Sequence, residues 1–538
     1  MEFSEIKTDV LIVGGGTGGT AAALAAGAAG LKVVLTEESD WLGGQFTSQA
    51  TPPDEHGWIE EFGATRSYRQ FRERVRQYYR DHFPLTEWAK NDPFLNPGSG
   101  WVSPLCAEPE VFRRVLDASL APFTMTGNLR ILFGHFPVAA ETEGNRVRSV
   151  TLVDLRSREE IRISAEYFID ATDLGELLPL TGTEFVTGSE GRSETAEPGA
   201  SETPRKENSQ GFSVCFAISH HAGEDHTIER PPDYDFWRNF VPDLHPPWSG
   251  RLLSLTGLSP RNLAPVQYDF RPHGESGAAF SGLWTYRRLR DRANFVPGTF
   301  ASDVTVVNYP QIDYLLADLS NAAGYDRKRE IVDDAKRQSL SFLYFLQTGL
   351  GFRGLRLRGD VTGTADGLAK MPYVRESRRI RAEFTVLERH VSAACRPGEI
   401  LAESFPDSVG VGSYRIDLHP TVGGDNYVDV EALPFQIPLG ALIPERIENL
   451  LPAAKNIGTT HITNGCYRLH PVEWNIGEAA GQLAAFCLRA GLAPKRVRRD
   501  AELLGDFQKI LVENGFELEW PASLNPADGD PHRFAMKK

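Results

Sequence analysis

The run Asp9-Val10-Leu11-Ile12-Val13-Gly14-Gly15-Gly16-Thr17-Gly18-Gly19-Thr20, then an Ala-rich segment and Lys32-Val33-Val34-Leu35-Thr36-Glu37, decides the fold. Val10 to Val13 is continuously apolar, the pattern of a strand covered on both faces. Gly14, Gly16 and Gly19 stand in G-x-G-x-x-G spacing. The first permits a tight turn, the second lets backbone approach a pyrophosphate, and the third lets helix and strand pack closely. A helix predicted from about Thr17 to Gly30, with Gly18 in its first turn, directs free N–H groups and its positive dipole end at that phosphate. A second buried strand, Val33 to Thr36, ends at Glu37, about 20 residues beyond the glycines, where an acid accepts hydrogen bonds from a ribose diol. The alternative is a βαβ unit whose glycines serve packing alone.

Past Glu37 and Glu38 the chain reads Ser39-Asp40-Trp41-Leu42-Gly43-Gly44-Gln45-Phe46-Thr47-Ser48. Here it resembles FAD-dependent oxidoreductases with a glutathione-reductase-like FAD fold. In them a Leu-Gly-Gly segment passes the ribityl chain and flavin ring, which NAD-dependent dehydrogenases do not usually carry. The resemblance implies FAD as cofactor, with Glu37, Glu38, Gly43, Gly44, Gln45, Thr47 and Ser48 in its site.

At 538 residues the chain is long enough for two intertwined domains. The formal charge of −15, from 57 basic and 72 acidic side chains, argues against nucleic acid and anionic membrane as partners. Five scattered cysteines form no C-x-x-C pair, which excludes a redox disulfide motif and gives no metal-ligand spacing. That sparse count suits a reducing cytoplasm. No signal peptide or transmembrane stretch is expected, so the expected protein is soluble and cytoplasmic.

Residues 1–180 form the expected first part of the FAD domain, an α/β unit with a parallel sheet and a β-meander. Within it, 49–63 reads as a loop tethered to the glycine pair, carrying His56 as a candidate active-site group or a surface histidine. Arg66 to Arg80 has amphipathic helical spacing, and its six arginines suggest an anion site or, on balance, a solvated face. Residues 181–345 are expected to be a second, α+β substrate domain rich in aromatics, opened by a flexible polar loop at 182–210. Residues 346–440 lead back, 441–495 complete the FAD domain, and 496–538 form a C-terminal tail.

Later segments strengthen the resemblance: Pro372 to Ile380, Ser413 to Pro420, Pro434 to Leu439, Asn449 to Asn456 (read as the last sheet strand), and Arg468-Leu469-His470-Pro471-Val472-Glu473-Trp474-Asn475-Ile476-Gly477-Glu478-Ala479-Ala480-Gly481. Over 8–63, 101–178 and 350–490 the chain resembles bacterial FAD-dependent oxidoreductases related to the fumarate reductase and succinate dehydrogenase flavoproteins. The resemblance implies that Val138 backbone lies beside the adenine and Ala171-Thr172-Asp173 near the nucleotide. Related folds place a Gly-Asp pair on the last strand to hold the ribityl chain. Lys455-Asn456 stands there instead, so Asn456 offers a neutral amide. The helix starting near Asn475 and Ile476 is expected to aim its dipole at the flavin N1 and O2 edge.

A flavin takes binding, orientation and electrostatics from its protein. Hydride leaves a substrate carbon most easily when a base removes the neighbouring O–H or N–H proton, a task suited to histidine. His470 is the first candidate, His419 the second, with Arg468 or Arg375 as anchors; each has a structural alternative, a backbone-bonded His470 or an Arg375 paired with Glu376 or Asp417. The expected activity is FAD-dependent oxidation of a small organic molecule. The rivals are a flavin monooxygenase, whose usual Gly-Asp-Ala-Ala-His motif is missing, and an electron-relay subunit. No second G-x-G-x-x-G follows a strand, so no built-in nicotinamide domain is expected. No metal site is expected, and a homodimer is the default assembly.

Overall fold

The computed structural model describes residues 4–272 and 282–529. The N-terminal unit follows its hydrophobic pattern: β1 (Ser4–Val13), α1 (Thr17–Ala28) and β2 (Val33–Glu37), then α2 (Arg66–His82), α3 (Pro109–Met125) and β3 (Leu129–Phe133). A meander of β4 (His135–Glu143), β5 (Arg146–Asp154) and β6 (Glu160–Asp170) returns the chain to β1. Strands β3, β2, β1 and β6 pair in parallel, while β4 and β5 run antiparallel beside β6.

The length of β6 lets it serve several neighbours. Its first half pairs with β5 (Leu152 opposite Ile161) and with β1 throughout, and its last three residues pair in parallel with a distant strand, Leu450–Pro452. The chain thus re-enters its first sheet after some 280 residues elsewhere, which makes the two units interlocked in sequence.

A second core forms around a four-stranded antiparallel sheet of β7 (Phe216–His220), β8 (Arg288–Arg290), β9 (Val304–Val307) and β10 (Leu355–Leu357), flanked by α4 (Gly324–Tyr344). Trp237, Trp284, Tyr309 and Phe342 fill it, so much of the aromatic density of this region is core. The boundary expected at 345 falls inside this sheet, because β10 pairs with β7.

After β11 (Leu450–Pro452) come α5 (His461–Tyr467), α6 (His470–Ala490) and α7 (Ala501–Glu513). Helices α1 and α6 cross at their glycines: a Cβ on Gly477 would lie 2.0 Å from the Gly18 carbonyl oxygen, and one on Gly18 would lie 1.6 Å from that of Ala453. Only glycine permits this approach.

Three expectations need correction. The polar segment 182–210 is fastened: Phe185–Val186 pairs with Arg379–Ile380, and Glu197 accepts hydrogen bonds from Thr460 Oγ1 and Glu388 N, both 2.7 Å. Polar partners on distant elements supply what its composition lacks. The stretch 496–538, expected as a C-terminal tail, is packed on the core through residue 529, with Phe507, Leu511, Phe516 and Trp520 buried. On α2, Arg72 and Arg76 face inward and bind Glu55 and Glu60, with Arg72 Nε 2.8 Å from Glu55 and Arg76 Nη1 3.0 Å from Glu60.

Candidate functional site

The C-terminal ends of β1, β2 and β6 converge on a narrow slot. Gly14 makes its turn at φ +97°, and a Cβ there would strike the Ala171 carbonyl oxygen at 2.4 Å. Gly16 is open, with nothing nearer than 3.7 Å to its would-be Cβ, and Gly44 seats against it, its own Cβ position 2.8 Å from Gly16 Cα. Backbone therefore lines the slot where a pyrophosphate would approach. Helix α1 begins there with no side-chain cap. Thr17 Oγ1 donates to Gly43 O (3.1 Å) and Thr47 Oγ1 to Leu42 O (2.5 Å), fixing the glycine pair; Gly19 packs against Gly14. Glu37, Glu38, Ser48, Ala171, Thr172 and Asp173 join the wall. Glu37 accepts from Gly15 N and Ser39 N, yet burial outweighs these bonds and pushes its carboxyl up to about 7.

Val138, Asn456, Asn475 and Ile476 do not line the slot. Phe136 and Pro137 line the slot where Val138 was expected, and the Val138 side chain is 39% exposed. The β4–β5 register shifts between Pro137 and Ala139, which leaves Val138 outside the ladder pairing. Asn456 spends both ends of its amide on main chain, accepting from Ala454 N and donating to Asp170 O. Ile476 is core, and Asn475 donates to Val409 O (3.0 Å), away from the slot. The helix starts at His470, so Asn475 and Ile476 lie in its second turn and not at its N-terminal end.

A chain of side chains backs the slot. Gln45 Nε2 donates to Glu473 Oε2 (2.8 Å), Lys455 Nζ bridges Glu473 Oε2 (3.3 Å) and Asp173 Oδ1 (2.5 Å), and Gln49 Nε2 donates to Asp173 Oδ2 (2.7 Å). Lys455 thus brings the Asp173 carboxylate to the slot from the end of β6, where the last strand itself offers only an amide.

Segment 44–56 runs from this slot into a second, far larger space: Ser48 lines the slot, and Asp54 and His56 line a cavity of about 1060 Å³. Its rim includes exposed Arg261 and Ile400; deeper wall comes from Asp54, Tyr286, Arg287, Tyr414, Asp417 and His419. His419 Nδ1 lies 2.7 Å from Asp313 Oδ2, and Nε2 lies 3.9 Å from Asp417 Oδ2. Burial raises the Asp313 carboxyl, but Arg375 and His419 outweigh it and hold the group below the usual range. An ionised Asp313 makes Nδ1 the donor, so in neutral His419 the lone pair sits on Nε2.

The remaining sequence candidates have protein partners of their own in this geometry. His470 is fully buried, and its Nδ1 accepts the Asp54 backbone N–H at 3.2 Å. Burial first, then Arg287 and Lys455, lowers its pKa well below the ordinary value. A ring whose acceptor nitrogen is already engaged is poorly placed as a base. Arg468 binds the Asp417 carbonyl and carboxylate (3.1 and 3.0 Å). Arg375 pairs with Asp313 at 3.0 Å, rather than with Glu376 or Asp417. His56 lines the cavity but packs 5.4 Å from Trp520, with Nε2 on Gly63 O, and burial lowers its pKa to about 4. Sequence reading missed Arg287, Asp54 and Asp313. None sits in a motif, and only the fold brings 54 beside 287 (3.3 Å) or 313 beside 419.

A model of the family described as FAD dependent oxidoreductase matches residues 9–511. The chain belongs to this family. No curated protein matches it. Among solved structures, this oxidoreductase resembles L-proline dehydrogenase from P. horikoshii at 19% identity, over 36% of this chain and 26% of that one, with a TM-score of 0.18. Anhydrotetracycline hydroxylase from Streptomyces rimosus matches at 11% identity over 94% of this chain and 66% of its own, TM-score 0.32. A geranylgeranyl bacteriochlorophyll reductase-like protein from Thermoplasma acidophilum matches at 10% over 95% and 85%, TM-score 0.28. The cofactor of the oxidoreductase is FAD, and the open Gly16–Gly44 cradle, the Glu37 carboxylate and the uncapped α1 fit a dinucleotide. Among the described residues no cluster of ligating side chains suits a metal, and no helix is long and apolar enough to cross a membrane.

Proposed function

We propose that this oxidoreductase dehydrogenates an organic molecule bound in the large cavity, with His419 as proton acceptor and Arg287 as anchor. One observation carries the reading: His419, paired through Nδ1 with Asp313, lines the large cavity, and residues 44–56 lead the chain from the wall of the cofactor slot to the wall of that cavity. When bound, the flavin takes up the hydride that the substrate C–H releases. His419 Nε2 takes the proton of the adjoining O–H or N–H, so that a C=O or C=N product forms. Asp313, kept ionised by Arg375, holds the imidazole in the tautomer that can do this and stabilises its charged form. Arg287 lies against Asp54 at 3.3 Å and lines the cavity, a cation in its wall. Tyr286, Tyr309, Tyr414 and Tyr427 give the cavity aromatic faces, which suit a substrate with apolar bulk. Five free cysteines support a reducing, cytoplasmic compartment.

The test is the absorption spectrum of the flavin-loaded protein under anaerobic addition of alcohols and amines. Bleaching by one of them, without nicotinamide cofactor, is the expected result. Bleaching by NADH or NADPH alone, followed by oxygen consumption with hydroxylated product, overturns the reading in favour of a monooxygenase.

A further inference from the structure

Gln49 is wholly buried next to Ser48 of the slot wall, in the tight turn that follows the glycine pair. Its Nε2 donates to Asp173 Oδ2 at 2.7 Å, and its Oε1 has no hydrogen-bond partner among the described residues. The amide cannot simply be turned over. Asp173, whose other oxygen is 2.5 Å from Lys455 Nζ, offers acceptors only, so the NH₂ end must face it. The carbonyl end is therefore a fixed acceptor without a donor, in a place where every other side chain of the Gln45–Glu473–Lys455–Asp173 chain has its partners. A buried acceptor left alone is costly, and one held in a single orientation by the Lys455–Asp173 ion pair is set up to receive something.

We propose that Gln49 Oε1 orients the cofactor by accepting a hydrogen bond from FAD, and that Lys455 and Asp173 are positioning residues that fix the amide. FAD offers it the imide N–H of the flavin ring, the ribityl and ribose hydroxyls and the adenine amino group as donors. The inference rests on FAD binding in the slot and is independent of which substrate the large cavity takes.

The test is the dissociation constant of FAD for apoprotein, read by quenching of flavin fluorescence, beside the absorption spectrum of the bound form and the melting temperature of the apoprotein. Gln49→Met keeps length without polar atoms and is expected to bind FAD about tenfold more weakly, with a shifted flavin spectrum and an apoprotein that still melts cooperatively. Gln49→Asn, a milder change that withdraws the acceptor but keeps the amide, is expected to weaken FAD in the same direction. N3-methylated FAD assigns the donor: if its binding is indifferent to Gln49→Met, the imide N–H is the partner; if it loses the same factor as FAD, a hydroxyl or the adenine amine is. FAD affinity within twofold of wild type and an unchanged spectrum in both variants overturn the proposal. Failure of the dehydrogenation test leaves these readouts untouched, so the two readings fall separately.

Discussion

His56 is neutral because burial outweighs its bond to Gly63 O, which drops its pKa from the ordinary 6.5 to about 4. The unfolded chain takes up this proton between pH 6.5 and 4 and the folded chain does not, so stability is lost as pH falls through that window. Complete passage costs on the order of 3 kcal/mol. Melting temperatures of wild type and His56→Gln measured from pH 7 to 4 should therefore converge on acidification, the variant being the flatter. His419 calls for a kinetic test. His419→Gln should slow anaerobic flavin bleaching by about 10² to 10⁴, while flavin content and binding of the substrate change little. A loss of bound FAD instead would assign this side chain a structural role. The sequence offered several histidines of similar promise. What separates them is which nitrogen remains free: Nδ1 of His470 is engaged by Asp54 N–H, and Nε2 of His419 is left at the cavity.

At the scale of elements, the crossing of α1 and α6 holds the cofactor unit together. Gly477→Ala would drive a methyl into the Gly18 carbonyl. The expected outcome is a loss of about 1–3 kcal/mol in urea unfolding, together with reduced flavin content, because α1 shifts off the slot. The buried ion pairs of α2 make a second case. Arg72→Leu leaves Glu55 and Glu60 with less compensation and should cost about 3–5 kcal/mol by the same measurement. The helix was legible in the sequence because its apolar residues repeat at three and four. The inward arginines were not, since their carboxylate partners come from the preceding loop and a periodic pattern cannot show that a charge has found its opposite.

Over the whole molecule, segments that look dispensable in composition complete the structure. Trp520 packs on His56 and Trp58, and its Nε1 donates to Phe435 O at 2.9 Å. A chain ending at Asp500 should be insoluble or melt without a cooperative transition, as seen by calorimetry. Expression at wild-type yield with a sharp melt would contradict that. The strap at 182–210 shows the same principle with polar groups, being held at Thr460, Glu388 and the Arg379–Ile380 strand. By itself the sequence determined the dinucleotide-binding βαβ unit, its FAD-type glycine pair and the return of the last strand, because those features are local: spacing, apolar runs and glycines each act within a few residues. Tertiary structure alone decided how each histidine is partnered, which cation holds the Asp173 carboxylate and which arginines are buried. Those outcomes depend on contacts such as Asp313 with His419 and Asp173 with Lys455, formed between residues that only the folded sheet brings together.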